Sequence, residues 1–291
     1  MEVFYINNLN DLPELEKNSC AIGNFDGLHQ GHRELINQAK VDDLKTLVIS
    51  FESINKANCL TNTKQKIELI AEMGVDYLVI FPFRTIQLVF FNEFIDILKK
   101  LKVKHITCGK DFRFGYKREG DVIDLKKKFK TNILDDFEVN RARVSSTIIK
   151  EFIRDGFIEE ANNLLTKPYT IVGEVVHGNK LGRKLGFPTA NIDYKNYILP
   201  KNGVYFTITK VNDKKYLSMT NIGLNPTLNE QEKTRLEIHI IDFNEEIYGQ
   251  EIEVSFIKFL RDEKRFEGKE ELISSLEETI SICRNHKNML E

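Results

Sequence analysis

The pattern of apolar residues changes once along this chain, and that change limits the folds that the sequence can adopt. From residue 19 to about residue 165, short apolar runs alternate with segments in which apolar residues recur every three or four positions. This alternation is typical of a parallel sheet with helices on both faces. Beyond Thr166 the chain is strand-like with hairpin signals, which predicts a small antiparallel barrel.

The first half contains four apolar runs of four to six residues, rich in Ile, Val or Leu, that we predict to be strands. These strands are Ser19–Gly23, Thr46–Phe51, Asp76–Phe81 and His105–Cys108. The helices predicted between them are Arg33–Lys40, Thr63–Met73 and Asn92–Lys100. In the second half, turns are predicted at Asn212-Asp213 and near Asn244. A final helix is predicted to carry an apolar stripe of Leu272, Ile273, Leu276, Ile280 and Cys283.

The length of 291 residues exceeds that of a typical single domain, so two domains are expected. We predict the first over residues 1–166 and the second over residues 167–291, because the pattern changes at Thr166-Lys167-Pro168-Tyr169. Hydrophobic residues make up 41% of the chain and charged residues 30%. This composition is that of an ordinary globular protein, and it argues against extensive disorder.

Charge and cysteine usage restrict the partners and the compartment. The net charge is −2 and no basic stripe is present, so nucleic acid is not an expected partner. The four cysteines lie far apart without CxxC spacing, which indicates reduced thiols and a cytoplasmic protein. The first residues do not resemble a signal peptide, and no apolar stretch reaches about 18 residues, so no membrane span is expected. We expect small-molecule substrates and a monomer or weak homo-oligomer.

A glycine-rich segment, GNFDGLHQGH at residues 23–32, follows the first predicted strand and precedes a helical pattern. Glycines at such a place let backbone N–H groups approach a phosphate at a helix N-terminus. His29 and His32 are three positions apart, so they point to one place if a helix begins near His29. From spacing alone the pair fits a phosphate site or two surface histidines. A metal pair fits less well, because no third ligand is evident.

A second glycine-rich segment, GEVVHGNKLGRKLGFPTANI, occupies residues 173–192 and ends in the tetrad Pro188-Thr189-Ala190-Asn191. A threonine hydroxyl and an asparagine carbonyl are hard oxygen ligands suited to Mg²⁺ carried by ATP. Without further context, the segment equally fits a long glycine-rich loop of a barrel.

Three ordered motifs of the first half resemble those of bacterial FAD synthetases, which carry the HxGH signature of the nucleotidylyltransferase superfamily. They are GNFDGLHQGH, GKDFRFG at residues 109–115 and RVSST at residues 143–147. The resemblance implies that AMP is transferred from ATP to FMN, with His29 and His32 on the ATP phosphates. The nucleotide-binding residues that it implies are Gly23, Asn24, Phe25, Asp26, Gly27, Arg143, Ser146 and Thr147. The flavin-binding residues that it implies are Asp111 and Phe112.

Two features depart from that family's pattern. Lys150 stands where the pattern SSTxIR carries an arginine, which keeps the charge but loses the bidentate fork. We predict weaker use of ATP in this half, with Lys150 still contributing to nucleotide binding. The segment SFESINKANCL at residues 50–60 stands where many members carry Pro-His-Pro, so contacts of that loop are not carried over.

The second half resembles the riboflavin kinase module over most of residues 168–270. The ordered motifs are PTAN, PKNGVY at 200–205, NIGLNPT at 221–227, LEIHIIDF at 236–243, IYG at 247–249 and FLRDEKRF at 259–266. The resemblance implies that Thr189 and Asn191 bind Mg-ATP and that Glu237 is the catalytic base. It implies nucleotide binding at Gly178 and Gly182 and flavin binding at Arg261. His239 either orients Glu237 or is structural.

Over nearly its whole length the sequence resembles the family of bacterial bifunctional riboflavin kinase/FMN adenylyltransferases. The resemblance implies an α/β nucleotidyltransferase domain with a Rossmann-like parallel sheet, followed by an antiparallel β-barrel riboflavin kinase domain with a C-terminal helix. ATP, riboflavin, FMN and FAD would be substrates or products, with Mg²⁺ as the cofactor. One alternative is a kinase whose adenylyltransferase activity is weakened or lost. Another, of a different class, is a flavin-binding regulator without turnover.

Overall fold

The computed structural model describes residues 1–52, 58–140, 142–178, 182, 185–224 and 234–290. The chain divides into two compact units. The first comprises Met1–Lys56 and Thr61–Ser146, and the second comprises Ala57–Leu60 and Thr147–Glu291. The compact units thus divide at residue 146, whereas the sequence pattern changes at residue 166. A functional boundary at residue 166 stays a prediction.

The first unit contains an open parallel sheet. Its strands are β1 (Glu2–Tyr5), β2 (Asn18–Gly23), β3 (Lys45–Glu52), β4 (Tyr77–Pro82), β5 (Val103–Gly109), β6 (Arg113–Phe114), β7 (Gly120–Asp121), β8 (Lys130–Leu134), β9 (Glu138–Val139) and β10 (Ala142–Arg143). Among the described residues, six strands form this sheet in the order β1-β4-β3-β2-β5-β8. Two short antiparallel ribbons, β6 with β7 and β9 with β10, complete the set.

The central strands β2 to β5 confirm the four predicted strands, with ends that differ by at most two residues. Their apolar runs lack alternating polar residues because both faces of the sheet are covered. In β2, for example, Cys20 and Ile22 pack into one apolar cluster and Ala21 packs into the other. The sequence pattern does not predict β1 and β8. These edge strands are only partly buried, and their apolar runs are short, with Val3 to Tyr5 in β1 and Ile133 and Leu134 in β8.

The helices of this unit are α1 (Gln30–Gln38), α2 (Thr63–Ala71), α3 (Phe83–Ile86), α4 (Phe91–Lys100) and α5 (Val122–Lys126). The helices α1, α2 and α4 confirm the three predicted ones. Helix α2 begins where it does because Asn62 and Gln65 form a capping box, each side chain accepting a hydrogen bond from the other's backbone N–H. Single 3₁₀ turns occur at Leu9–Asp11, Tyr116–Arg118 and Lys287–Leu290.

The order of the strands reverses at β2. After β2 the chain adds β3 and β4 on one side, and it later places β5 on the other side. The carboxyl ends of β2 and β5 therefore border a topological switch point, where ligands bind in open α/β sheets. Gly23 ends β2 and Gly109 ends β5, so two of the quoted motifs begin at this point.

The second unit contains a closed antiparallel barrel. Its strands are β11 (Thr170–Val176), β12 (Ala190–Asp193), β13 (Gly203–Val211), β14 (Lys214–Leu224), β15 (Thr234–Ile240) and β16 (Glu251–Arg261). They close in the order β11-β12-β15-β14-β13-β16. The turn between β13 and β14 is confirmed at Asn212 and Asp213, whose φ angles of 47° and 64° suit a two-residue hairpin loop. The connection near Asn244 is longer, since β15 ends at Ile240 and β16 begins at Glu251.

The helices with described bounds from residue 146 onward are α6 (Ser146–Asp155), α7 (Ile158–Leu164) and α8 (Lys269–Arg284). Helix α8 is the predicted final helix. Its residues Ile280 and Cys283 are buried against the barrel, in one cluster with Val204, Phe206 and Met219. The parallel sheet, the barrel and this helix together confirm the expected fold class.

Candidate active sites

The turn between β2 and α1 is held in shape by hydrogen bonds to the segment that leads into α2. Gly27 has a φ of 81°, which favours glycine, and its backbone N–H donates to Thr61 Oγ1 at 3.1 Å. In return, the backbone N–H of Thr61 donates to Asp26 Oδ1 at 3.2 Å. The side chain of Phe25 is fully buried in the core. Asp26 and Phe25 therefore shape the turn, and their predicted part in nucleotide binding stays a prediction.

The two histidines of this turn stack on each other. Their ring centroids lie 3.6 Å apart with an interplanar angle of 17°. His29 is the N-cap of α1, and its Nδ1 accepts a hydrogen bond from the backbone N–H of His32 at 3.3 Å. Because this Nδ1 accepts, the proton of the neutral His29 ring sits on Nε2, which is left as a donor. The imidazoles converge, as their spacing predicts.

Burial keeps both imidazoles neutral. It lowers the pKa of His29 to about 4, although Asp26 acts in the opposite direction. Burial also lowers the pKa of His32 well below its usual value, with further lowering by His29 and by Lys66. The buried Nδ1 of His32 has no hydrogen-bond partner in the described part of the chain. Such an atom in a native protein calls for a partner, and a bound ligand can supply it.

The low pKa of His29 makes stability depend on pH. Between the usual histidine pKa of 6.5 and about 4, the unfolded chain binds a proton that the folded chain does not. We therefore expect the protein to keep its full free energy of unfolding above pH 6.5. It should lose about 3 kcal/mol of this free energy as the pH falls from 6.5 to about 4. Urea unfolding followed by circular dichroism at several pH values checks this. A His29→Asn variant should show a shallower pH dependence, and an equal slope would contradict the assignment.

A cavity of about 540 Å³ lies at the carboxyl ends of β2 and β5. It brings together eight of the predicted site residues, namely Gly23, Asn24, His29, His32, Asp111, Phe112, Arg143 and Ser146. The hydroxyl of Ser146 donates to the backbone carbonyl of Asp26 at 2.8 Å, which ties the start of α6 to the histidine turn. Thr147 and Lys150 follow on α6 within the second unit, and their predicted roles stay predictions.

Arg143 is held in this cavity by two carboxylates. Its Nη2 lies 2.9 Å from Asp111 Oδ2, and its Nε lies 3.1 Å from Asp136 Oδ1. Lys110 reaches the same Asp136 at 3.0 Å. Asp136 was not selected from the sequence, because one aspartate in a polar stretch gives no signal of its own. These ion pairs fix the direction of the Arg143 guanidinium, which the family resemblance predicts to bind the nucleotide.

A buried lysine beneath the histidine turn was also missed. Lys66 on α2 is only 6% exposed, and its Nζ donates to the carbonyl of Asn24 at 2.8 Å and to Ser50 Oγ at 3.1 Å. A lysine in an amphipathic helix normally reaches solvent, so nothing in the local pattern marks Lys66 as a buried residue. Its ammonium anchors the first residues of the turn, and its charge lowers the pKa of His32.

We expect Lys66→Met to destabilise the first unit by about 2 kcal/mol, because the Asn24 carbonyl loses a charged donor. Removing the cation should also raise the pKa of His32. Urea unfolding measures the first effect, and an NMR titration of the imidazole signals measures the second. Lys64→Met is the matched control, since Lys64 is an exposed lysine of the same helix. Identical results for the two variants would contradict this role.

In the second unit, neighbouring strands place the predicted base beside the predicted magnesium ligand. Glu237 on β15 lies directly opposite Asn191 on β12 and, on its other side, Asn221 on β14. Directly opposite residues project to the same face, with Cβ atoms about 4.5–5.5 Å apart. The row continues through Val204 to Arg261 at the end of β16. The barrel thus aligns Asn191, Glu237 and Arg261 on one row.

The environment of Glu237 suits a proton acceptor. Burial raises the pKa of its carboxyl group, while the guanidinium of Arg235, 3.9 Å away, acts in the opposite direction. Its side chain keeps 33% of its surface exposed, so a substrate can reach the carboxylate. A carboxylate with a raised pKa accepts a proton more readily near neutral pH.

The glycine-rich segment passes close to the tetrad that ends it. A side chain at Gly178 would collide with the amide of Asn191, and one at Gly182 would collide with the carbonyl of Phe187. His239 donates from Nδ1 to the carbonyl of Pro188 at 2.9 Å. This hydrogen bond fixes the start of the tetrad and so supports the structural role of His239, whereas a part in orienting Glu237 stays a prediction. Thr189 lines a cavity of about 210 Å³ beside it.

The described residues contain neither a protein-only metal site nor a membrane-spanning helix. No cluster of three or more His, Cys, Asp or Glu side chains there can hold a metal ion. Likewise, none of the helices described is long and apolar enough to cross a membrane.

Comparison with known families assigns each half separately. The model for FAD synthetase matches residues 11–148, and the model for riboflavin kinase matches residues 165–287. These ranges contain the histidine turn and the Glu237 row, respectively.

Individual relatives match along most of the chain. A bifunctional riboflavin kinase/FMN adenylyltransferase of Listeria monocytogenes is 40% identical over 281 residues, which cover 88% of each chain. The Escherichia coli K12 protein of that name is 36% identical over 288 residues, covering 92% of this chain and 91% of the relative. A solved structure from Streptococcus pneumoniae, described as a macrolide-efflux protein, is 30% identical with a TM-score of 0.88, covering 98% of this chain and 99% of that one. The chain therefore belongs to the family of bifunctional riboflavin kinase/FMN adenylyltransferases, with the FAD synthetase half preceding the kinase half.

Proposed function

We propose that this chain makes FAD from riboflavin in two steps, each in its own unit. The second unit transfers the γ-phosphoryl group of ATP to riboflavin, giving FMN and ADP. The first unit then transfers AMP from a second ATP to FMN, giving FAD and pyrophosphate. The observation that carries the proposal is the presence, in one chain, of the stacked His29–His32 pair at a switch-point cavity and the Glu237–Asn191 pair on the barrel.

In the kinase step, the 5′-hydroxyl oxygen of riboflavin attacks the γ-phosphorus while its proton passes to Glu237. The bond between the γ-phosphorus and the bridging oxygen breaks, and ADP leaves. Thr189 and Asn191 would hold Mg²⁺, which neutralises phosphate charge. Their neutral oxygens fit this ion only together with oxygens of ATP, in keeping with the lack of a metal cluster in the described residues.

In the adenylyl step, a phosphate oxygen of FMN attacks the α-phosphorus of ATP and pyrophosphate leaves, without a covalent enzyme intermediate. His29 donates from Nε2 to the oxygens on which negative charge develops, and His32 supplies a second imidazole. Ser146 and Arg143 line the same cavity and would bind the same anion.

The setting that we propose is the cytoplasm, with small molecules as partners and the chain as a monomer or weak homo-oligomer. Cys20, Cys108 and Cys283 are buried thiols, and burial raises the pKa of Cys108 to about 12, so it stays protonated. A net charge of −2 gives no support to nucleic-acid binding. We place the functional boundary at residue 166, one residue after the riboflavin kinase match begins and well after the FAD synthetase match ends at residue 148.

A product assay tests the proposal. Purified protein is incubated with riboflavin, ATP and Mg²⁺, and flavins are separated by chromatography over time. We expect FMN to appear first and FAD to follow, and FAD to form directly from added FMN. FMN without FAD at high enzyme concentration would indicate a kinase alone. Saturable flavin binding without either product would indicate a regulator. Both outcomes would contradict the two-step proposal.

A further inference from the structure

A short loop presents an arginine to the adenylyltransferase cavity. The ribbon of β6 and β7 pairs Arg113 with Asp121, and an ion pair of 2.9 Å between their side chains fixes its base. Residues 115–119 form the loop that the ribbon closes. Arg118, near the end of this loop, lines the cavity together with Asp111 and Phe112.

The backbone of this loop is strained and is held in place by its surroundings. Gly115, Lys117 and Arg118 have φ angles of 79°, 52° and 62°. A positive φ is unfavourable for lysine and arginine, by roughly 1 kcal/mol each. The backbone N–H of Arg118 donates to the carbonyl of Gly115 at 2.9 Å. Glu119 accepts a hydrogen bond from the backbone N–H of Phe91 at 2.6 Å through Oε1, which ties the loop to α4. Strain of this kind persists where the neighbouring structure fixes a conformation, often at binding sites.

The charges of the cavity single out Arg118. Within the described ranges, three arginines line the cavity: Arg113, Arg118 and Arg143. Asp121 pairs with Arg113, while Asp111 and Asp136 pair with Arg143. No carboxylate of the described residues lies within ion-pair distance of Arg118. Its guanidinium is therefore available to an anionic ligand.

The proposed reaction needs such a cation. FMN differs from riboflavin by a phosphate group that carries between one and two negative charges near neutral pH, by analogy with phosphoserine. This anion must approach the α-phosphate of ATP, which is also negative. The ATP side of the cavity has His29, His32 and Ser146, whereas Arg118 follows Phe112, the predicted flavin residue, on the same segment.

Resting on the proposed function, we propose that Arg118 binds the phosphate of FMN and makes the adenylyltransferase site select FMN over riboflavin. A guanidinium binds two phosphate oxygens with its planar fork. The strained loop positions this fork before the substrate arrives, so less freedom is lost on binding.

The first test is the steady-state rate of FAD formation by Arg118→Ala. The KM for FMN should rise roughly 10- to 100-fold, as expected when a hydrogen-bonded charge is lost. The KM for ATP should change little, and riboflavin phosphorylation by the second unit should be unchanged, which reports on folding. The KM for FMN of Arg118→Lys should lie between those of wild type and Arg118→Ala, because lysine keeps the charge but lacks the planar fork of the guanidinium. Lys117→Ala is the control, since Lys117 is a neighbouring cation that stacks on Tyr116, at 5.3 Å from the ring centroid.

A phosphate-free flavin separates charge recognition from damage to the pocket. We choose 5′-deoxyriboflavin, which lacks the hydroxyl that the kinase unit would phosphorylate, as an inhibitor of FAD formation competitive with FMN. Its inhibition constant should be the same for wild type and Arg118→Ala. A parallel rise in this constant would mean that the loop only shapes the flavin pocket, and a higher KM for ATP alone would assign Arg118 to the nucleotide. Either result would overturn the proposal.

Calorimetric titration with FMN distinguishes failure of this inference from failure of the proposed function. Wild type should bind FMN in both units, as product of one and substrate of the other, and Arg118→Ala should lose one class of sites. If wild type forms no FAD yet shows this difference, the adenylyl reaction is wrong and Arg118 remains a phosphate ligand. Equal titrations for both proteins would overturn the role of Arg118.

Discussion

Glu237→Gln should lower the rate of FMN formation from riboflavin by about 10²–10⁴, while FAD formation from added FMN continues at the wild-type rate. Glutamine keeps the size of the side chain and its place opposite Asn191 but cannot accept the proton of the 5′-hydroxyl. Separate assays with riboflavin and with FMN, each with Mg-ATP, measure the two activities on one preparation.

The matched control for this variant is Glu174→Gln. Glu174 is an exposed glutamate on β11 of the same barrel, and it lies outside the Glu237 row. The Glu174→Gln variant should leave both activities unchanged. If Glu237→Gln kept more than about one tenth of the kinase rate, positioning and charge neutralisation would account for catalysis and Glu237 would not be the base.

The reciprocal variant, His29→Asn, should lower FAD formation by about 10²–10³ and leave riboflavin phosphorylation intact. Asparagine is a favourable N-cap, so the variant retains an acceptor for the backbone N–H of His32 at the start of α1. What it loses is the donor at Nε2. Comparing His29→Asn with wild type therefore measures how much the Nε2 donor stabilises the charge that develops in the reaction, while the turn remains folded.

His105→Asn is the control for loss of a buried histidine. His105 bonds Ser19 through Nδ1 at 3.0 Å, near the amino end of β2, and it does not line the cavity. This variant should retain FAD formation. If His29→Asn matched it in activity, the stacked pair would be a structural feature of the turn and the adenylyl site would have to be sought elsewhere.

The strands that the sequence predicts are those with a continuous run of buried residues. Strands β2 to β5 each carry a run of buried residues because helices cover both faces of the sheet, and the apolar part of this run is visible in the sequence. The edge strand β1 has only the short run Val3 to Tyr5, and Val3 and Tyr5 in it are exposed. Its place beside β4 depends on pairing across more than seventy residues, which local patterns do not encode.

The residues of the candidate sites also differ in how far the sequence predicts their placement. Spacing alone brings His29 and His32 together, because one helical turn relates them. Glu237 and Asn191 are 46 residues apart, and only the pairing of β15 with β12 makes them neighbours. Lys66 and Arg118 were missed for a different reason. Lys66 is buried, and Arg118 has no ion-pair partner among the described residues. Both are properties of the folded environment, and neither residue belongs to a distinctive motif.

The closure of the barrel has a consequence for unwanted self-association. Each barrel strand has a neighbour on both sides, so the six described strands of the second unit present no open sheet edge to an incoming strand. The open sheet instead ends in β1 and β8, and β1 is short with a glutamate at its start, features that discourage but do not prevent strand addition. Aggregation by edge-to-edge pairing is therefore a hazard of the first unit, and it is there that charged or proline substitutions would improve the solubility of the chain.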